Sequence, residues 1–258
     1  MDVLLTNDDG IEGTGLLALY DALSEVANVF VVAPAEDQSA TGRALSTEVG
    51  VEEHELGYAV DGTPADCVVA GLEAIGPYPD LVVSGCNEGA NLGAYVLGRS
   101  GTVSAAVEAA FFGVPAIAAS LYLPYGDVVT GSVDTEPADF EHAVRATTYL
   151  AEHALSAGVF ETAEYLNVNA PMPGDGVAPL QITRPSHGHA MDAVRASDGR
   201  ITLTDHIWER MANGDVDEPE GTDRRAVLDG QVSVSPLTAP HSTEHHEALD
   251  ALVETYPG

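Results

Sequence analysis

Two adjacent carboxylates, Asp8 and Asp9, end the short apolar run Asp2-Val3-Leu4-Leu5-Thr6-Asn7, and Gly10, Gly13 and Gly15 come after them. An unbroken apolar run of this length reads as a strand buried on both faces. The glycines break it, and Leu16, Leu19, Tyr20 and Leu23 then recur at helical spacing to about Ala27. Strand, loop and helix in this order open an α/β sheet, and the loop lies at the carboxyl edge where such sheets bind ligands. Two ionised carboxylates side by side repel unless a cation lies between them or one takes up a proton. Hard oxygen ligands of this kind suit Mg²⁺, Mn²⁺ or Ca²⁺. Taken alone, the segment is equally readable as a solvated Asp-Asp-Gly turn.

The same rhythm continues along the first half. Val29 to Ala33 is a second buried strand, ended by Pro34, and a polar loop runs on from Ala35 to about Thr47. A loop this long inside a compact domain is usually functional or disordered. Val49 to Val60 mixes strand-like and acidic residues and gives no clear element. Thr63-Pro64-Ala65-Asp66 opens a helix, with Thr63 as N-cap and Pro64 at the first helical position. Leu81 to Gly85 is the next strand, leading into a Gly/Asn-rich loop from Cys86 to Gly93. Ser100-Gly101-Thr102 caps a helix to about Phe112, and Ala116 to Ser120 is a further strand. Alternation at this spacing predicts right-handed βαβ units and a mainly parallel sheet.

Beyond residue 130 the pattern is less regular. A helix is predicted over 136–156, short strands at 164–169, 179–184, 200–205 and 231–237, and a terminal helix over 243–255. The expected organisation is a catalytic core over 1–130 and a C-terminal elaboration over 131–258 that packs on it and serves assembly.

Charge sets the physical context. The 258 residues carry 41 acidic groups against 9 arginines and no lysine, a formal net charge of −32. Self-repulsion on this scale destabilises a compact state in dilute buffer. At molar salt the Debye length falls to about 3 Å and most of that repulsion is screened. The simplest reading is a cytoplasmic protein of an organism with high internal salt. The same balance argues against binding duplex nucleic acid, which needs basic patches. Cys67 and Cys86 are the only cysteines, so no disulfide framework is expected. No leader is expected ahead of the first strand, and the apolar stretch 102–123 is interrupted by Glu108 and Pro115, so no membrane span is expected.

The loops after three strands and one helix cap share an edge of the proposed sheet, and their polar residues are complementary. Asp8 and Asp9 supply charged oxygens, Ser39 and Asn87 neutral ones, a reasonable set for one divalent cation with water. Ser100-Gly101-Thr102 offers N–H groups at a helix start, suited to a phosphate, and Asn91 is placed to donate from across the site. Cation and phosphate cradle together suggest metal-assisted phosphoester hydrolysis.

In order and spacing, five segments resemble the stationary-phase survival protein SurE family. They are Thr6-Asn7-Asp8-Asp9-Gly10; Val32-Ala33-Pro34 leading to Gln38-Ser39-Ala40-Thr41-Gly42; Gly62-Thr63-Pro64-Ala65-Asp66-Cys67; Ser84-Gly85-Cys86-Asn87-Glu88-Gly89-Ala90-Asn91; and Ser100-Gly101-Thr102-Val103. The likeness is dense to about residue 120 and thins to Gly221-Thr222-Asp223, Ala226-Val227 and 230–236 beyond it. It implies a Rossmann-like core with helices on both faces and a C-terminal β-rich elaboration. It also implies hydrolysis of nucleoside 5′- and 3′-monophosphates with one Mg²⁺ or Mn²⁺ per subunit. The metal would be held by Asp8, Asp9, Ser39 and Asn87, with phosphate contacts from Asn91, Ser100, Gly101 and Thr102 and catalysis centred on Asp8 and Asp9. Homodimers or homotetramers built through the C-terminal half are implied as well. Two residues depart from the family pattern: Arg99 stands where an aromatic or histidine is expected, and Cys86 replaces a branched aliphatic residue.

Plainer readings exist for single residues. Ser39, Asn87 and Asn91 are ordinary turn formers, and Cys67 is a small core residue without a basic partner. His241 and His245 fall at i, i+4 but suit a solvated terminal helix. Three other folds are rivals for this strand end. A receiver-type signalling module, the regulatory alternative, needs a lysine that this chain lacks. A haloacid-dehalogenase-type phosphatase uses Asp-x-Asp, not an adjacent pair. A dinucleotide-binding Rossmann protein needs Gly-x-Gly-x-x-Gly, and here the glycine spacing runs in the opposite order.

Overall fold

A computed structural model describes residues 1–123, 135–174, 176–242 and 247–255. In β1 (Asp2–Thr6) the side chains of Val3, Leu4 and Leu5 are all fully buried, as an unalternating apolar strand requires. The stripe Leu16, Leu19 and Leu23 seats α1 (Thr14–Ser24) on the sheet. α1 approaches closely only because residue 15 is glycine: a methyl there would lie 1.9 Å from the Cys86 carbonyl oxygen. β2 (Asn28–Pro34) comes next, and then β3 (Gly50–His54) and β4 (Gly57–Asp61), an antiparallel hairpin. This hairpin occupies the stretch with no clear sequence reading. All but one residue of β3 is exposed, which erases the alternation that identifies a half-buried strand.

α2 (Pro64–Ala70) starts with the expected cap: Thr63 Oγ1 accepts from Asp66 N at 3.2 Å and Asp66 Oδ2 accepts from Thr63 N at 2.8 Å. β5 (Leu81–Asn87), α3 (Ala94–Leu97), α4 (Gly101–Phe111) and β6 (Ala116–Tyr122) complete the first half. The helix predicted over 136–156 begins as a 3₁₀ turn at Pro137–Phe140 and continues as α5 (Glu141–His153). β7 (Tyr165–Pro171), β8 (Leu180–Ile182), β9 (Met191–Arg195) and β10 (Ile201–Asp205) come after it. The chain ends through α6 (Ile207–Ala212), α7 (Asp223–Leu228), β11 (Val232–Leu237) and α8 (Glu247–Glu254). The first four residues of the predicted terminal helix, 243–246, lie outside the described residues.

Among the described residues one nine-stranded sheet has the order β3-β4-β2-β1-β5-β6-β7-β11-β8. β4, β2, β1, β5, β6 and β7 are parallel. β3, β11 and β8 run the other way. α1 and α5 cover one face, where Val3, Leu5, Val83 and Phe140 pack, and α2 and α4 cover the other with Leu4, Val32, Val82 and Val103. The expected boundary at 130–131 lies outside the described residues, and β7, β11 and β8 of the second half extend the sheet begun by the first. β9 and β10 form a separate antiparallel ribbon. β9 has no sequence signature because all five of its residues are exposed.

The chain passes from β1 to β2 on one side and later returns to β5 on the other, so the sheet order reverses at β1. The crevice at the carboxyl ends of β1 and β5 is therefore the expected ligand site of an open α/β sheet.

Candidate active site

The loop leaving β1 is braced from within. The buried Asn7 donates Nδ2 to the Gly10 carbonyl at 2.7 Å, which folds Asn7–Gly10 into a turn. The Asp8 carbonyl accepts from Gln38 N at 2.7 Å, tying the loop after β2 to the same edge. The Asp8 carboxylate is buried, and its Oδ1 accepts from Thr102 Oγ1 at 2.6 Å. Asp9 Oδ2 accepts from Glu88 N at 3.1 Å, drawing in the loop after β5.

α4 brings its N-terminus to this point. Ser100 caps the helix, its Oγ accepting from Val103 N at 3.0 Å, and its carbonyl accepts from Ser104 Oγ at 2.6 Å. Gly101 lies against Asp8: a methyl there would sit 2.7 Å from both Asp8 Cβ and Oδ2. Asn91 stands behind Thr102. Its Nδ2 donates to Thr102 Oγ1 at 3.3 Å and to Ser120 Oγ at 2.9 Å. The Thr102 hydroxyl therefore accepts from Asn91 and directs its own hydrogen at Asp8. The backbone of Asn91 is held by β7, with N donating to Asn169 Oδ1 at 2.7 Å and O accepting from Asn167 Nδ2 at 2.9 Å.

Asp8, Asn91, Gly101 and Thr102 thus form one contact set, and Asp9 joins it through Glu88, the neighbour of Asn87. Ser100 adjoins the set and is committed to capping. Asn87 is half-buried and turns its Nδ2 back to the Gly89 carbonyl. Ser39 is exposed; its Oγ donates to Asp37 Oδ1 at 2.6 Å and its N to the same oxygen at 2.7 Å. It reaches the set through its neighbour Gln38.

Burial pushes the Asp8 carboxyl above its ordinary value, against the opposing hydrogen bonds from Thr102. Asp9 is pushed up to about 8, first by burial and then by the charge of Asp8, with Glu88 and Asp37 adding to it. These shifts measure how poorly the site tolerates two bare negative charges. A cation between them would remove the repulsion, which is the physical fit of this donor set to a metal. Among the described residues no three His, Cys, Asp or Glu side chains converge, so a cation here would complete its shell with hydroxyl, amide or water oxygens. Cys67 and Cys86 are buried, and burial pushes both thiols upward, in keeping with core packing.

Several contributors have no signature that singles them out in the sequence. Asp37, Asn7, Ser120, Asn167 and Asn169 all hold or charge the site. The Asp37-x-Ser39 turn is legible in principle, since a side-chain oxygen two residues ahead of a backbone N–H is a recognised turn pattern. The asparagines of β7 are hidden inside a strand predicted only from its apolar neighbours. His245 lies outside the described residues.

Comparisons with known proteins place the chain in one family. Residues 3–192 match the profile of the family described as Survival protein SurE. A protein named 5′-nucleotidase SurE from Haloarcula marismortui is 65% identical over 255 residues, covering 98% of this chain and 94% of its own. A protein of the same name from Archaeoglobus fulgidus is 42% identical over 246 residues, covering 92% and 91%. The crystal structure of the SurE protein from Aquifex aeolicus superposes with a TM-score of 0.81 at 33% identity, covering 98% of this chain and all of that one.

Proposed function

The chain belongs to the survival protein SurE family, and from that premise we propose that it hydrolyses nucleoside 5′-monophosphates, and 3′-monophosphates as well, to nucleoside and phosphate. The observation that carries this reading is the Asp8–Asp9 pair at the switch point of the sheet, with Asp8 buried against the α4 N-terminus. Its full-length likeness to proteins named 5′-nucleotidase supports the substrate class. The receiver-type and dehalogenase-type alternatives gain nothing from these relatives.

Asp8, Asp9, Ser39 and Asn87 would hold one Mg²⁺ or Mn²⁺. Such a cation, when bound, polarises a phosphate oxygen and makes a coordinated water a better nucleophile. Thr102 and Glu88 N–H fix the rotamers of Asp8 and Asp9, so both carboxylates are set before substrate arrives. Asp8 is tied to Thr102, and Asp9, the less buried of the two, is the group that accepts the proton of the attacking water. Asn87 commits its NH₂ to Gly89, which leaves its oxygen end for the cation. Gly101 allows the α4 N-terminus to approach, and Ser100, Gly101, Thr102 and Asn91 form the cradle that meets charge growing on the phosphoryl oxygens. Assembly as a homodimer or homotetramer is part of the same reading, as is a cytoplasmic setting at high salt, which the acidic composition supports.

Phosphate release from a panel of 5′- and 3′-nucleoside monophosphates at molar KCl, with Mg²⁺, Mn²⁺ or EDTA, tests the proposal. Metal-dependent release that is lost in Asp8→Asn and Asp9→Asn, with circular dichroism unchanged, is expected. A folded wild-type protein that releases no phosphate with either metal overturns it.

A further inference from the structure

The residues just ahead of the proposed phosphate cradle form a stack that the hydrolytic chemistry leaves unused. The Arg99 guanidinium carbon lies 3.8 Å from the centroid of the Tyr95 ring, and Arg99 also donates to the Tyr95 carbonyl. The His189 ring stacks on Tyr95 as well, with centroids 4.9 Å apart and planes inclined by 15°. Three planar groups from two separate chain segments are thereby assembled beside the cradle.

Their position is fixed by backbone bonds. Arg99 N and Ser100 N both donate to the Val96 carbonyl, at 2.8 and 3.2 Å, so the stack and the α4 cap move together. Ala94 N donates to the Ser186 carbonyl at 2.8 Å, which anchors the loop bearing His189 to α3. The surroundings are open. Arg99 and His189 are exposed, and a side chain added at Gly98 would meet nothing within 4 Å.

In a chain with 41 acidic residues and 9 arginines, Arg99 is one of the arginines that form no ion pair among the described residues, where only Arg200, Arg224 and Arg225 have a carboxylate within 4.0 Å. A planar cation held against an aromatic ring, without a carboxylate partner and next to a phosphate cradle, suits a ligand that is both anionic and planar.

We propose that Arg99, Tyr95 and His189 form the platform on which the substrate's nucleobase stacks while its phosphate occupies the Ser100–Thr102 cradle. The inference rests on the nucleotidase reading above and adds to it the means of base recognition. Stacking of this kind uses the π face that every base has, so it favours nucleotides over base-free esters without selecting strongly among bases.

The experiment compares kcat/KM for AMP and for ribose 5-phosphate, which keeps the phosphate and sugar and lacks the base. In Tyr95→Ala the ratio of the two should fall about tenfold or more, within the range that base–aromatic stacking contributes. Tyr95→Phe, which keeps the ring, should retain the wild-type ratio. His189→Ala should lower the ratio in the same direction. An unchanged ratio in Tyr95→Ala, or a parallel loss of both substrates, overturns the platform and reduces the stack to a support for the α3 turn. Should the wild-type protein hydrolyse neither ester with any metal, the nucleotidase reading fails and equilibrium dialysis against AMP decides the platform. Weaker retention of AMP by Tyr95→Ala than by wild type then supports it, and equal retention overturns it.

Discussion

Gly101 touches Asp8 so closely that the main chain of α4 and the carboxylate of β1's loop cannot both keep their places if a side chain intervenes. The missing methyl would lie 2.7 Å from Asp8 Oδ2, well inside van der Waals contact. Gly101 is also the first residue of α4, where the chain has an ordinary helical conformation, so alanine is acceptable to the backbone itself. The effect of Gly101→Ala is therefore expected on Asp8 and not on the helix. A displacement of about 1 Å in a reacting group costs on the order of 10²-fold in rate. Assays with AMP and Mn²⁺ should show a loss of that order, with the circular dichroism of the variant matching wild type. Full activity in Gly101→Ala would mean that Asp8 is free to move without consequence.

The acidic pair also predicts an unusual pH dependence in the metal-free protein. Asp9 is held at about 8 in the folded chain against an ordinary value of 3.8. Between these two values the native state binds a proton that the unfolded state has released. Stability from this group is thus fully present below about pH 4 and is lost as pH rises through 8. In EDTA and molar KCl, Tm should fall between pH 6 and pH 9, and Asp9→Asn should flatten the slope. Adding Mg²⁺ or Mn²⁺ should raise Tm more at pH 9 than at pH 6, since cation and proton compete for the same oxygens. A metal-free Tm that climbs over this interval would contradict the burial of the pair.

How much of this is legible in the sequence depends on where each residue sits. β1, β2, β5 and β6 carry buried apolar runs that announce them, and the loops after β1, β2 and β5 hold site residues at the expected edge. The Thr63–Asp66 cap is readable because its two hydrogen bonds are local, and the 3₁₀ start at Pro137 is not, because its helical spacing runs straight into α5. β3 and β9 are exposed and have no alternation to read. The contacts that orient the site are the least visible of all. Thr102 to Asp8 spans 94 residues and Asn91 to Asn169 spans 78, and no local pattern in one chain reports a pairing at that range.

The net charge of −32 predicts a requirement for salt. Acidic residues are spread along the whole chain, so repulsion acts on every element and is relieved only when the Debye length drops to a few ångströms, at about 1 M salt. Lowering KCl from molar to millimolar concentrations should lower Tm steeply and reduce far-UV circular dichroism, and sodium chloride should replace potassium chloride. Glycerol or sucrose, which leave the charges unscreened, should rescue much less. A protein with the same Tm at low and at molar KCl would show that its acidic surface is compensated within the fold.

The second half of the chain also holds the first in place, through two neighbouring buried charges. Asp223 is fully buried and accepts from Gly93 N at 2.7 Å through Oδ2 and from Ser186 N at 2.9 Å through Oδ1. Its neighbour Arg224, also fully buried, donates to the carbonyls of Gly188 at 2.7 Å and Leu92 at 3.4 Å and pairs with Glu218 at 3.1 Å. Together they clamp the turn after Asn91 to the segment 186–188. Arg224→Ala would leave Glu218 without its cation in a dry environment. Breaking a buried pair from one side costs about 3–5 kcal/mol, a large share of the total stability of a typical domain. Urea denaturation at molar KCl should show a loss of that size. Because the released turn begins directly after Asn91, which holds Thr102 against Asp8, turnover should fall as well, even under conditions where the variant remains folded. A stable variant with normal turnover would show that the Asn91 turn keeps its shape without help from the C-terminal half.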